Sequence, residues 1–531
     1  MTRRWNGWGD LPICYHLSDS AFDFLEGKLG RLTPILDASL DEVLACAPPS
    51  RLVQHPQIST TPEDRLRHAR GQSLPDWVAL RSGRIPVFPD GVSYPTNSED
   101  ITSLFSYGHR TGARLIPYGG GTSVVGHINP TPGDAPVLTI DVSGLNRLLD
   151  LDETSRLATF GAGVSGPEIE AKLNLRGYTL GHFPQSFEYS TLGGWIATRS
   201  SGQQSLYYGR IEDLFAGGQV ATPRGVLDIP SQPASAAGPD LRHLILGSEG
   251  RLGIITHATV RVRPLPEAEG FFGVFFHHWE QAAAAVREII QTDLPASMLR
   301  LSDADETEAN LVLAGKDRLV GYACRGLALL GYGPGRCLLI YAVTAARGGV
   351  RRAHREIEAL CRAHGGLLTG ALIGKTWAKS RFRTPYLRNT LWERGVAIDT
   401  LETALSWKHT LPAAQAIKDA IREAADESGE RALVFAHLSH IYRDGASIYV
   451  TYAFRRSQDP DELLERWQKM KTAASQTIVA HGGTISHQHG VGLDHAPYLE
   501  AEKGPLGMEA LEAARRVFDP EGLLNPGKLL V

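Results

Sequence analysis

The chain has 531 residues, enough for three or four domains with sizeable cores. Its 42% hydrophobic and 21% charged residues are a globular mixture that excludes wholesale disorder, and its net charge of −4 removes any bulk electrostatic case for nucleic acid. The 56 glycines follow no G-X-Y period, which excludes collagen and points to turns and ligand loops.

Residues 1–85 read as a helical and loop-like region, with apolar residues at helical spacing in LTPILDASLDEVLAC. Over 86–266 short β-rich runs (RLIPY, APVLTIDVS, RLATFGAGV, GGQVATPRGVLDI, LGIITHATVRVRP) alternate with the helical pieces SEDITSLFSYGHRTG and GPEIEAKLNLRG. Over 267–460 the elements lengthen. GFFGVFF, SMLRLSD, CLLIYAVTA, ALVFAHLSHIY and ASIYVTYAFRR read as strands, the last two joined at the turn signal RDG. WEQAAAAVREIIQ, KDRLVGYACRGLALL, RRAHREIEALCRAHG and AAQAIKDAIREAADESG read as helices. Residues 461–531 hold the helix DELLERWQKMKTAASQTIVAHGG, the loop TISHQHGVG and a final helix and tail. Strands interleaved with helices imply an α/β or α+β layer architecture.

The five cysteines (Cys14, Cys46, Cys324, Cys337, Cys361) are odd in number and form no CxxC pair. They favour neither a disulfide framework nor a zinc site and fit a reducing compartment. The first residues lack the apolar stretch of a signal peptide, no run reaches ~18 apolar residues, and the ending GKLLV is not a peroxisomal address. A cytoplasmic location is expected.

Three glycine-bearing stretches could carry chemistry. Gly119-Gly120-Gly121-Thr122-Ser123-Val124 directly follows the strand-like RLIPY, and consecutive glycines let backbone N–H groups approach a phosphate. It is neither GxGxxG nor a Walker A loop, and a plain turn explains it equally well when taken alone. The second stretch, from Pro184 to Gly202, is dense in hydroxyls and glycines. The third, from Gly247 to Thr256, runs into an apolar strand.

In this order and spacing, with WNGWG at 5–9 and YYGRIEDL between the second and third stretches, they resemble the vanillyl-alcohol-oxidase type FAD-binding superfamily. Within it the chain is similar to the alkyl-dihydroxyacetonephosphate synthase family. The resemblance implies a two-subdomain FAD-binding fold of the p-cresol methylhydroxylase type at 86–266. An α+β cap at 267–460 and a C-terminal segment completing the flavin site would follow. It implies non-covalently bound FAD, with Tyr118, Gly119, Gly120, Gly121, Thr122, Ser123 and Val124 at the pyrophosphate. Gln185, Ser186, Phe187, Glu188, Tyr189, Ser190, Thr191, Thr198, Arg199, Ser200 and Ser201 would lie along the flavin and its linker. Glu249, Gly250, Arg251, Leu252, Gly253, Ile254 and Ile255 would complete the site. Backbone amides and hydroxyls suit flavin because its phosphates and ribityl chain need chiefly hydrogen bonds. His182 precedes the second stretch, and a covalent link through it is not expected.

The same resemblance places Arg388 on the substrate phosphate and makes Arg300 a second functional arginine. Tyr449 would be the acid/base group, with His487 and His489 at the reacting end. A guanidinium offers phosphate a permanently charged fork. Arg300 sits in an apolar strand, so a specific partner is expected. A phenol titrates near pH ~10 in isolation and needs a tuned environment to move a proton. Tyr452 has the opposite strand parity from Tyr449, so the two cannot share a face. The family has three successive histidines where this chain has His487-Gln488-His489. No metal is expected there, because no carboxylate sits close by in sequence.

The activity implied is exchange of the acyl group of an acyl-dihydroxyacetonephosphate for a long-chain alcohol, an ether-lipid transferase reaction. The partners implied are a lipid-like phosphorylated substrate, without nucleic acid, together with peripheral membrane contact and a homodimer. Gln488 and the tail Leu523–Lys528 keep open a second reading, an FAD-linked dehydrogenase or oxidase of a hydroxy acid or glycerol 3-phosphate.

Overall fold

The computed structural model describes residues 2–313 and 317–530. Three principal sheets carry its architecture. The first has four strands in the order Ile58–Ser59, Gly91–Ser93, Val137–Asp141 and Arg114–Tyr118, the last three parallel. Ser98–Thr111 is the helix that enters Arg114–Tyr118. Asn97 caps its first turn, Glu99 and Asp100 face the dipole there, and Gly112 leaves it in the left-handed conformation. The second sheet is antiparallel, ordered Leu148–Asp152, Leu157–Gly161, Ile254–Arg261, Phe215–Thr222, Gly225–Ile229.

The third sheet has seven antiparallel strands in the order Leu367–Leu368, Ala268–Phe276, Cys337–Ala345, Met298–Ser302, Leu433–Ile441, Gly445–Arg455, Val396–Ser406. One face packs on the helices Trp279–Gln291, Arg347–Ala363, Trp407–Glu427 and Pro460–Ala480, forming the largest core. Strand alternation assigns Ile448, Val450, Tyr452 and Phe454 to that core. The intervening residues, Tyr449 among them, are left for the opposite face. The helix expected from KDRLVGYACRGLALL spans Asp317–Leu329, with Lys316 outside the described residues.

Two elements differ from those expected. LTPILDASLDEVLAC is helical only over Leu40–Ala45, because Ser39 and Glu42 form a capping box that fixes the start. Val396–Ser406, to which the sequence analysis assigns no element, is a strand paired along its whole length with Gly445–Arg455.

The ends of the chain fasten these parts together. Asn389 grips buried Trp8 at both backbone groups, accepting from its N–H (3.1 Å) and donating to its carbonyl (2.9 Å). Arg81 donates to the Asn6 carbonyl at 2.5 Å. Arg3 then reaches the Gly120 carbonyl at 2.7 Å. At the other end, Leu115 exchanges backbone bonds with Leu523 and Asn525, so the tail extends the first sheet.

Replacing Asn389 with Ala strands the buried Trp8 amide and should cost about 2–3 kcal/mol. The expected readout is a lower denaturant midpoint together with faster proteolytic cleavage of the first ten residues.

Candidate functional site

The open face of the seven-stranded sheet carries a row of polar side chains set by register. Ser302 lies opposite His437, His437 opposite Tyr449, and Tyr449 opposite Glu402. Directly paired residues share a face, so one row crosses four strands. Arg300, two residues before Ser302, joins it. Its guanidinium donates to Ser302 Oγ at 3.0 Å and to Glu306 Oε1 at 2.7 Å. Glu306 also meets His437 Nδ1 at 2.9 Å. Burial alone would raise the Glu306 pKa, but Arg300 and His437 outweigh it and hold the carboxyl well below its usual range. The partner expected for Arg300 is therefore Glu306.

Tyr449 stacks on His437 (ring centroids 4.9 Å apart) and meets the edge of His489 at 5.5 Å. Its hydroxyl donates to Thr400 Oγ1 at 3.1 Å. Burial pushes its pKa far above the ordinary phenol value. Tyr452, as its parity requires, points into the core and bonds Asp399.

His487 and His489 lie on the loop Thr484–Gly492, which two buried carboxylates clasp. Glu402, fully buried, accepts from the backbone N–H groups of Gln488 and His489 at 2.6 Å each. Glu249 accepts from those of Val491 (2.5 Å) and Gly492 (2.9 Å). His487 Nε2 lies 2.6 Å from the Tyr442 hydroxyl, its ring stacks on His440, and Arg210 donates to its carbonyl. Burial keeps the His487 and His489 rings neutral, and His440 and His182 are held down to about 3. His182 sits against Trp195 with Nε2 3.2 Å from Ser200 Oγ, and its Nδ1 has no partner.

Arg388 lies over Trp77 at 4.3 Å and donates through Nη1 to the Gln72 carbonyl at 2.5 Å. Its Nε and Nη2 are buried and have no partner among the described residues. Burial lowers its pKa to about 10 against the pull of Asp399 and Asp76, so the group stays charged at neutrality. A buried guanidinium with free donors invites an anion.

The glycine-rich loop packs directly on the second stretch. A Cβ at Gly119 would collide with Thr191 Oγ1, one at Gly120 with the Tyr189 carbonyl, and one at Gly121, whose φ is +66°, with the Tyr118 hydroxyl. Gly119, Gly120, Thr122, Ser123 and Val124 are half-buried between buried neighbours, and Tyr118 is buried. Thr191 caps the short helix Leu192–Thr198. Ser190 accepts from Trp195 Nε1, and Ser201 Oγ is buried without a partner.

Several of the expected cofactor residues have their side chains committed elsewhere. Gln185 donates to the Arg381 carbonyl, Phe187 stacks on Phe382, and Glu188 and Tyr189 share the Tyr386 hydroxyl. Ser186 offers its carbonyl to Ser190, and Thr198 bonds back to Gly194. Arg199 is exposed and paired with Glu212. Beyond Glu249 and Gly250, Arg251 donates to the Leu524 carbonyl, Gly253 sits against Ala221, and Leu252, Ile254 and Ile255 fill cores. The residues that remain are close-packed glycines, a buried hydroxyl and half-buried loop backbone, which fits a long cofactor held by hydrogen bonds. Glu402, Glu306, His437, His440 and Tyr442 are site residues that sequence reasoning missed. The histidines lay in an assigned strand, but only its pairing register shows which face they occupy.

Residues 89–229 match the family model described as FAD binding domain, and residues 265–529 match that of FAD linked oxidases, C-terminal domain. The chain is 31% identical over 473 residues to the alkyldihydroxyacetonephosphate synthase of Dictyostelium discoideum, covering 88% of this chain and 77% of that protein. A solved alkyldihydroxyacetonephosphate synthase superposes with a TM-score of 0.84 at 27% identity over 99% of this chain and 98% of that one. A solved p-cresol methylhydroxylase shares the fold at 12% identity, with a TM-score of 0.66 over 97% and 98%.

The collision at Gly120 sets a test of the cofactor loop. Gly120→Ala must push the loop off Tyr189, a shift costing about 1–3 kcal/mol. The purified variant should fold and bind FAD about tenfold more weakly or worse, read from its absorbance near ~450 nm and by flavin titration.

Proposed function

The chain belongs to the alkyldihydroxyacetonephosphate synthase family of FAD-linked oxidases, and we propose that it exchanges the acyl group of acyl-dihydroxyacetonephosphate for a long-chain alcohol, forming an ether. The observation that carries this reading is Arg388, a charged guanidinium with two buried, unpartnered nitrogens in the cap that holds Tyr449 and the histidine loop. An anionic head group completes it, and phosphate matches its fork.

Bound FAD supplies a two-electron sink and source, so the exchange has no net redox change. The residues do the rest. Arg388 anchors the phosphate and fixes the distance from head group to reacting carbon. Tyr449 enters protonated, because burial makes its phenolate costly, and can donate a hydrogen bond or proton. His489, neutral and edge-on to Tyr449, is the base able to take a proton in that pocket. His487 is held by Tyr442 and His440 and shapes the floor. Phe183, Phe187 and Phe382 stack beside the Gln185–Thr191 turn and offer an apolar wall for an alkyl chain.

Purified protein mixed anaerobically with palmitoyl-dihydroxyacetonephosphate and labelled hexadecanol should give multiple turnovers of labelled ether without an electron acceptor, followed by mass spectrometry. Bleaching of the flavin by glycerol 3-phosphate or a hydroxy acid, without ether, would instead mark a dehydrogenase. Arg388→Met should lower kcat/KM by about 10–100-fold through loss of charge-assisted bonds. Tyr449→Phe should lower kcat by about 10²–10⁴-fold with little change in KM.

A further inference from the structure

Two cations outside the site just described have no ion-pair partner among the described residues. Arg70 is buried, and among the described residues no hydrogen bond or ion pair closes on its guanidinium. The carboxylate whose field reaches it, Asp76, lies beyond ion-pair distance and is already engaged, by Ser73 on one oxygen and by Asn129 on the other. Lys528, in the C-terminal tail, is fully buried, and among the described residues its ammonium donates only to the Pro526 carbonyl, at 3.2 Å. Burial, with Arg251 and Arg70 nearby, lowers its pKa to about 7. Like charges gathered without an anion in a low-dielectric interior are costly.

Their place in the fold says which anion relieves that cost. Arg70 precedes Gly71-Gln72, and this segment is pinned to the glycine-rich loop. The Gln72 N–H donates to the Ser123 carbonyl at 2.6 Å, and Gly71 is pressed so close to the same carbonyl that a Cβ would not fit. The loop from Tyr118 to Val125 contains no lysine or arginine. It can offer a phosphate backbone dipoles but no full charge. Arg3, which also reaches the loop, is engaged with the Gly120 carbonyl and the Tyr189 ring.

We propose that Arg70, with Lys528 behind it, supplies the positive charge that receives the pyrophosphate of FAD beside the loop Gly119–Val124. This rests on the FAD assignment and adds to it the source of charge compensation that the loop lacks. It also assigns a cofactor role to the end of the tail, which is tied to the same region by the Leu529 N–H bond to the Gly492 carbonyl.

The test uses full-length protein stripped of flavin, with the near-isosteric variants Arg70→Met and Lys528→Met. FAD and ADP are titrated into each, and thermal melts are recorded with and without FAD. Wild type should bind both ligands. Each variant should bind FAD at least tenfold more weakly, about 1.4 kcal/mol, and ADP should weaken in parallel. The stripped variants should melt higher than stripped wild type, because an uncompensated buried charge has gone. FAD affinity unchanged in both variants, or stripped variants that melt lower or fail to fold, overturns the proposal. Weaker binding of glycerol 3-phosphate with FAD binding intact overturns it too, by assigning the charge to the substrate. A wild-type protein that binds neither FAD nor ADP sinks the FAD assignment itself and is distinguishable from all of these.

Discussion

A single loop, clasped from two sides by buried carboxylates, joins the two halves of the site. Glu402 comes from the edge strand of the seven-stranded sheet and holds the amides of Gln488 and His489. Glu249 comes from the turn before Ile254–Arg261 and holds those of Val491 and Gly492. Each carboxylate is buried and turned to successive backbone N–H groups, so four hydrogen bonds fix one short stretch of loop. The cap and the flavin-binding part therefore meet on one short piece of backbone, and the two histidines hang from it. Their positions relative to Tyr449 are inherited from this clasp more than from their own contacts.

Burial separates the charges in the site by type. The imidazoles of His182, His440, His487 and His489 are all driven toward the neutral form, while Arg388 remains charged. Positive charge is thus kept at a fixed, planar group with directional donors, and the imidazole rings act as neutral hydrogen-bonding groups. Arg300 is already satisfied by Glu306 and Ser302, whereas Arg388 retains free nitrogens. That contrast, invisible in a list of arginines, distinguishes a structural cation from one awaiting an anion.

Much of this was legible in the sequence, because it depends on short-range rules. Strand parity separates Tyr449 from Tyr452, the RDG turn joins two strands, and an apolar strand predicts a partner for Arg300. What escaped depends on pairing between distant segments. Counting outward from the turn pairs Tyr442 with Gly445 and would set His437 opposite Val450. A bulge between Leu438 and Ile441 shifts the register by one and sets His437 opposite Tyr449. Glu402 was missed for a related reason. Its strand contains Asp399, Thr400 and Thr403 and reads as polar, yet it is an edge strand whose polar face lines the site. Arg70 and Lys528 lie far apart in the chain, and nothing local to either points to the glycine-rich loop.

The grip of Asn389 on Trp8 also has a temporal side. The two residues are 381 positions apart, and Arg3 meets Gly120 across 117. A chain emerging from the ribosome exposes its first ten residues long before Asn389 and Tyr386 exist to receive them. Closing so long a loop is slow compared with local folding, and segments made early wait unpaired. The glycine-rich loop packs on Tyr189 and Thr191, which lie close to it in the chain, whereas the N-terminal segment that carries Arg3 over it is fastened only once Asn389 has been made. The last fastening of the N-terminal segment over that loop therefore waits for the cap.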